Sequence, residues 1–377
     1  KDILIKGNKM YSQETCCFVP NEINVLLCKS DAKRGCMPIG VYERKLVNEI
    51  LINIGVQEDH AKIITEATLD SDLKGFTSHG LGRFPQYIRG INNGFIETKG
   101  DYEIVKDEDS IALIDGKSLF GQYIAHEAMM MAINKAKETG IAAVGTFNSN
   151  HFGITGYYSD LAIRNDMIGI VICNTEPGVA PLGGKKAILG TNPIAIGIPS
   201  ETYIAVDMAT AVSARGKILE AKRKGEEIPP NTAIDKDGNP TTDPEAALEG
   251  SILPFGGVKG YALSFMIEIM TGPLVNAAFG TKVTGTAGDY KEDCNKGDLF
   301  VAINPEKFVS IDAFKEQVEE FVTEIRESGN TFIPGDLEVK RIAENEKNGL
   351  EIDEKLYETL KEICDAENID LDSYLTE

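Results

Sequence analysis

The chain contains four histidines, at positions 60, 79, 126 and 151, and two of them stand among residues suited to acid–base chemistry. His79 lies in the run Thr77-Ser78-His79-Gly80-Leu81-Gly82-Arg83-Phe84-Pro85-Gln86-Tyr87. An imidazole, with an unperturbed pKa of about 6.5, exchanges a proton near neutrality. Arg83 carries a planar fork that can hold a carboxylate through two bonds. Glycine lets the backbone come close to a ligand. If Arg83 and Tyr87 open a helix, their i, i+4 spacing puts both on one face and gathers His, Arg and a phenol. The plainer reading is a turn with a capping His and a surface Arg. His151 lies in Asn148-Ser149-Asn150-His151-Phe152-Gly153, directly after the apolar run 141–147. A polar cluster at the C-terminal end of a strand is a common α/β site location. The alternative is a helix capped by Ser149 or Asn150, with a structural His. His126 reads as packed inside a helix and His60 as solvent-exposed near a helix start.

The elements that must position these residues alternate along the chain. Val41, Leu46, Val47, Ile50, Leu51 and Ile54 keep a helical period, and Gly55 follows. A second helix is expected over 58–73, and another around Tyr87–Asn93. Residues 104–114 read as a hairpin and 122–138 as a long helix rich in Ala and Met. Strands are expected at Ile141–Phe147, Met167–Cys173, Ile194–Ile198, Ile204–Val206 and Phe300–Ile303. Helices are expected at 155–165, 211–224, 262–271, 311–328 and 352–365. Short strands between helices indicate an α/β fold. Residues 1–36 hold four of the seven cysteines and show no amphipathic period. Met37 is a candidate start of the folded chain, and an N-terminal arm packed on a partner subunit is the other reading. The acidic stretch after Ala343 reads as a solvated helical face, since Ile352, Leu356, Leu360 and Ile363 keep a helical stripe.

Composition removes several classes of function. The formal charge is −21, from 38 Lys and Arg against 59 Asp and Glu. Such a surface argues against nucleic acid or an anionic membrane as partner. It also repels small carboxylates at long range, so an acid-binding site needs local cations. The seven cysteines form no CxxC pair, and their odd number favours free thiols in a reducing compartment. The start lacks the layout of a signal peptide and no run is long enough to span a bilayer, so cytoplasm is expected. No G-x-G-x-x-G fingerprint, Walker loop, H-E-x-x-H, zinc-type Cys/His cluster or G-x-S-x-G elbow is present. No metal is expected.

Several runs occur together in one order. They are Asp70–Gly75, Ser78-His79-Gly80, Arg83–Tyr87, Asn148–Gly153, Leu189–Pro193, Val206–Thr210, Asp237–Pro244, Leu253–Gly257, Lys259-Gly260 and Pro334-Gly335-Asp336. In this they resemble the type 2 malate/lactate dehydrogenase family, over roughly Met37 to Val339. The resemblance implies a non-Rossmann nicotinamide-binding fold with a mixed central sheet and flanking helical lobes, which accounts for the missing glycine fingerprint. It implies NAD or NADP as cofactor, a homodimer, and a small 2-hydroxy or 2-keto acid as substrate, of malate or lactate type. His79 and His151 fall on the family's acid/base positions. His151 is taken as the base for alcohol oxidation, with His79 orienting the substrate oxygen; the reversed roles stay open. Arg83 would anchor the carboxylate, Tyr87 would hydrogen-bond it, and Ser78, Thr191 and Asn192 would line the substrate. The cofactor would lie along Tyr203, Ile204, Ala205, Val206, Asp207, Met208, Ala209 and Thr210, with Lys259 and Gly260 and with Pro334, Gly335 and Asp336. Lys259 is the expected pyrophosphate partner.

Val258 departs from the family pattern, which often has His or Tyr there. NAD against NADP stays open, because the rule that an acidic residue such as Asp207 selects ribose hydroxyls belongs to another fold. The expected organisation is an extension over 1–36, a helical lobe over 37–100, a central α/β domain over 101–304, and a C-terminal helical segment over 305–377 packing back on the first lobe. Two rivals share the scaffold: a cyclic imino-acid reductase using the same histidines, and a catalytically silent binding homologue.

Overall fold

The structure is a computed structural model that describes residues 33–37, 42–285 and 292–375. The segment set aside as an N-terminal extension lies outside the described residues up to position 32. Strand β1 (Lys33–Met37) is followed by helices α1 (Tyr42–Asn53), α2 (Glu58–Leu73) and α3 (Phe84–Asn92). Next come β2 (Glu103–Asp107), β3 (Ile111–Asp115), α4 (Gly121–Thr139), β4 (Ile141–Phe147), α5 (Gly156–Ile163) and β5 (Ile168–Cys173). Then β6 (Ile194–Ile198), β7 (Ile204–Met208), α6 (Arg215–Lys224), β8 (Ala233–Ile234), β9 (Pro240–Thr241), α7 (Pro244–Glu249), β10 (Ser251–Ile252) and α8 (Val258–Thr271) follow. The chain continues through β11 (Asp298–Ile303), α9 (Ile311–Glu327), α10 (Asp336–Asn348), β12 (Leu350–Asp353) and α11 (Glu354–Ala366).

Seven strands form the central sheet in the order β2-β3-β4-β11-β5-β6-β7. Within it β3 and β4 are parallel, while the other neighbours run antiparallel. The alanines of α4 explain how that helix lies on the sheet. Ala125, Ala128, Ala132 and Ala136 are fully buried and share one cluster with Val144, Val171 and Phe300. Small side chains let the helix axis approach the strands closely, and dense contact follows.

A second cluster builds the lobe that carries the glycine-rich loop. Leu46, Val47, Ile50 and Leu51 of α1 meet Ile64, Leu81, Phe84 and Tyr87. Leu350, Ile352, Leu360, Cys364 and Leu371, from the far end of the chain, complete the same cluster. β1 pairs antiparallel with β12, Met37 opposite Leu350. The ordered fold therefore takes in residues before Met37, earlier than the boundary expected from composition.

Four expectations need correction. His60 is buried and stacks on Tyr123 with ring centroids 3.6 Å apart. His126 is half-exposed, with Nδ1 3.0 Å from Glu127 Oε1. Helix α6 starts at Arg215, not near 211. Helix α10 has no fully buried residue, so no apolar stripe announces it. Leu360 is fully buried where the two ends of the chain meet. Leu360→Ala is expected to cost about 2–5 kcal/mol. Urea unfolding should show a lower midpoint with an unchanged slope.

Candidate active site

Helix α2 stops at Lys74, and Gly75 (φ +82°) turns the chain away. The loop that follows is held from beneath. Asp72 Oδ2 accepts the backbone N–H of Leu81 at 2.7 Å. Residues Leu81–Arg83 make one 3₁₀ turn, and Pro85 sits in the first turn of α3, where its missing N–H costs nothing. Tyr87 lies one helical turn beyond Arg83 but points inward. It is 1% exposed and packs edge-on against Phe120, with centroids 5.7 Å apart.

His151 arrives from the end of β4. Asn150, beside it, is buried, and its amide nitrogen lies 2.7–3.2 Å from the carbonyl oxygens of Phe95, Ser118 and Leu119. It caps no helix. Gly121 opens α4 against this segment, where a Cβ would stand 2.1 Å from Asn150 O. Only glycine fits that approach.

The two imidazoles meet with centroids 5.5 Å apart and planes 29° from parallel. His151 Nδ1 lies 2.9 Å from the Tyr87 hydroxyl, which accepts from Gln122 Nε2 at 2.8 Å. The Gly153 N–H approaches the same Nδ1 at 3.3 Å, the weaker contact. His79 Nδ1 faces the exposed hydroxyl of Ser78 at 3.0 Å. Both Nε2 atoms make no hydrogen bond among the described residues. Burial first, and then the Arg83 charge, push His79 down to about 4. Burial, Arg83, His79 and Lys296 hold His151 well below the usual imidazole range. Both rings are therefore neutral at pH 7 in the free protein. Burial pushes the Tyr87 phenol up to about 12, so it stays protonated. Its hydroxyl serves Gln122 and His151, which corrects its expected role as a carboxylate ligand.

The structure brings the remaining expected residues together in two groups. In the first, Ala205 donates to Pro334 O at 3.1 Å, joining the outer edge of β7 to the Pro334-Gly335 turn. Gly335 has φ +109°, and a Cβ there would meet Tyr203 O at 2.7 Å. The Asp207 carboxylate turns toward α5, accepting from Gly156 N at 2.7 Å and from the Thr155 hydroxyl. It thus supplies a negative charge to a helix N-terminus. Asp336 accepts from Arg326 at 2.9 Å and from Ile333 N at 3.0 Å. In the second group, the Thr210 hydroxyl donates to Thr191 O at 2.9 Å and to Asn192 O at 3.1 Å. Asn192 is buried, and its amide donates to Glu268 at 2.7 Å. Its side chain is a strut, which leaves substrate contact to others. Phe255 N donates to Thr210 O at 3.0 Å, and Gly256 and Gly257 follow with positive φ and open space over both. Helix α8 begins there without a side-chain cap, with Lys259 exposed in its first turn.

A family model described as malate/L-lactate dehydrogenase matches residues 42–361. The chain belongs to that family. The match runs beyond Val339, where the recognisable motifs stop, and takes in β12 and most of α11. The malate/(S)-sulfolactate dehydrogenase of Methanothermus fervidus is 61% identical, over 87% of this chain and 97% of that one. The L-sulfolactate dehydrogenase of Methanothermobacter thermautotrophicus is 57% identical, over 88% and 97%. The solved sulfolactate dehydrogenase of Methanocaldococcus jannaschii superposes with a TM-score of 0.86 at 50% identity, covering 90% of this chain and 99% of that one.

Gln122 lies outside every motif run, while Asp72 and Asn150 lie inside the runs without having been given their supporting roles. Gln122 had a signal: an amide in the first turn of a helix rich in Ala and Met. Replacing Arg83 by Gln removes a positive charge from beside both rings, so both should bind protons more readily. Histidine ring NMR titration is expected to show both moving upward, His79 from about 4. The sign for stability follows from His79 lying below its unfolded value. Stability from its neutral form is complete above about pH 6.5 and is lost as pH falls toward about 4. Arg83→Gln should shrink that acid loss.

Proposed function

We propose that this protein is a nicotinamide-dependent dehydrogenase that interconverts a small 2-hydroxy acid and its 2-keto acid, with malate and sulfolactate as the substrate class. The observation that carries the reading is the pair of neutral imidazoles stacked at 5.5 Å under the charge of one arginine. The sulfolactate and malate names of the relatives give the substrate class.

Arg83 holds the substrate carboxylate and so fixes the neighbouring carbinol carbon. NAD or NADP, held by the residues named below, would supply the hydride acceptor or donor for that carbon. His151 Nε2 takes the hydroxyl proton during oxidation. Its Nδ1 is backed by the buried Tyr87–Gln122 pair, which orients the ring and can accept Nδ1–H from the imidazolium. His79 has only an exposed serine behind it, so it orients the substrate oxygen. Carboxylate binding at Arg83 also screens the charge that depresses both rings. The acid form is thus easier to reach with a keto acid bound than in the free protein.

The chain fits the cofactor at two places. The uncapped start of α8, with two open glycines and exposed Lys259, suits an anionic diphosphate. The Tyr203–Ala205 edge against Pro334-Gly335 forms the second wall. With one parallel strand pair in the sheet and no glycine fingerprint, this supports a nicotinamide fold other than Rossmann.

The protein acts as a homodimer in this reading. Val258, Phe265, Met266 and Ile269 on α8, with Leu274 beyond it, are 44–65% exposed and form one apolar stripe. A stripe of this kind marks a protein interface. Met266→Glu is expected to shift the sedimentation coefficient to that of a monomer, and an unchanged coefficient would sink the interface.

The decisive assay is NADH and NADPH oxidation with oxaloacetate, sulfopyruvate and pyruvate, and with a cyclic imino acid as control. Turnover of the keto acids is expected; turnover of the imine alone would establish the reductase instead. His151→Ala is expected to lower kcat by about 10²–10⁴-fold. Near-normal kcat and pH profile in that variant would move the proton step to His79.

A further inference from the structure

Beneath the His79 loop lies a second chemical arrangement, buried and acidic. Glu43, in the first turn of α1, and Asp72, in the last turn of α2, are both 0% exposed. The Asp72 carboxyl lies flat against the loop backbone. A Cβ on Gly80 would meet its Oδ2, Cγ and Oδ1 at 2.0–2.2 Å, so the closeness itself demands glycine. Its Oδ2 accepts Leu81 N–H at 2.7 Å. Its Oδ1 and both Glu43 oxygens are buried and receive no N–H or O–H from another described group. The two carboxyls interact with each other. Two unscreened carboxylates in the interior repel, and an unsatisfied buried oxygen is costly. One proton between them answers both problems.

Other charges do not substitute for that proton. Among the described residues Arg44 on α1 is the one cation acting on Glu43, and it is committed to Glu66 at 2.7 Å on the exposed side. The loop presents to Asp72 only the Leu81 amide, and α10 sends the neutral Asn345, which donates to Asp72 O at 3.0 Å. The Leu81 N–H favours charge on Asp72, so Glu43 is the member that keeps the proton. Burial and the Asp72 charge hold the Glu43 carboxyl well above the usual range.

We infer that Glu43 and Asp72 share one proton, a neutral acid donating to a carboxylate, and that this pair clamps the His79–Arg83 loop in register with His151. Both residues are positioning residues. The catalytic part of the claim rests on the proposed function; the clamp itself does not. Loss of the shared proton at high pH sets two carboxylates against each other and loosens Leu81.

Hydrogen exchange of residues 77–84 in the full-length protein, expressed as protection factors, tests this without substrate. Wild-type protection is expected to fall about tenfold per pH unit once the shared proton leaves. Glu43→Gln keeps a donor of the same shape but cannot ionise. Its protection and kcat/KM should stay within about twofold of wild type near pH 6. Its protection should then persist at alkaline pH, where wild type loses it. Parallel loss in both proteins would overturn the clamp, as would loss in Glu43→Gln already near pH 6. Should that variant not fold, the wild-type profile decides alone: protection constant from about pH 6 to about pH 10 overturns it. A clamp with the expected exchange profile in a protein that turns over no keto acid would support the clamp and refute the function.

Discussion

The amide of Asn150 holds the site together. Three carbonyl oxygens, from the end of the α3 segment and from the turn before α4, converge on its nitrogen within 3.2 Å. This buried knot joins the N-terminal lobe to the end of β4, and the placement of the histidine pair depends on it. His151 is the next residue. Tyr87 and Gln122 reach it from the two elements that the knot ties in. Without that tie, His79 and His151 would sit on separate lobes, with nothing to set their separation. A buried amide nitrogen held by three backbone carbonyls specifies one arrangement in a way that apolar packing alone does not.

Electrostatics then decides what the assembled rings can do. The chain carries a formal charge of −21, yet the centre of the site is cationic through Arg83, with the buried Lys296 behind His151. Lys296 pairs with Asp298 and lies 4.3 Å over the Phe152 ring, so its charge is held in place. Burial first, then Arg83, and for His151 also Lys296, keep the rings neutral in the free protein. In the proposed function a carboxylate at Arg83 would change that balance, tying readiness for proton transfer to occupancy.

Much of this was legible in the sequence. The 3.6-residue period of Leu46, Val47, Ile50 and Leu51 marked α1, and the apolar runs marked β4 to β7, because burial on one face or on both leaves a repeating pattern. His79, Arg83 and His151 stood out because imidazole, guanidinium and glycine are rare in that combination. What stayed hidden depended on long-range contact. Nothing near Asn150 says that its amide ends on Phe95, and it read equally well as a helix cap. Tyr87 read as a substrate ligand because helical spacing sets the face but not the partner. His60 looked exposed because its ring partner, Tyr123, comes from another helix. Helix α10 carries Leu337, Val339 and Ile342 but buries none of its residues, so periodicity had little grip on it.

The shared cluster of the first and last elements has a consequence in time. The lobe bearing His79 and Arg83 is among the earliest parts of the described chain to leave the ribosome. Its core stays open until Leu350, Ile352, Leu360 and Leu371 have been made. Synthesis proceeds from the N-terminus, and contacts this distant in sequence close slowly. Leu46, Ile50 and Leu51 thus wait for partners that are made much later on the nascent chain. The segment proposed to bind substrate is made before the residues that complete its core, and in that interval its apolar face is what a chaperone would hold.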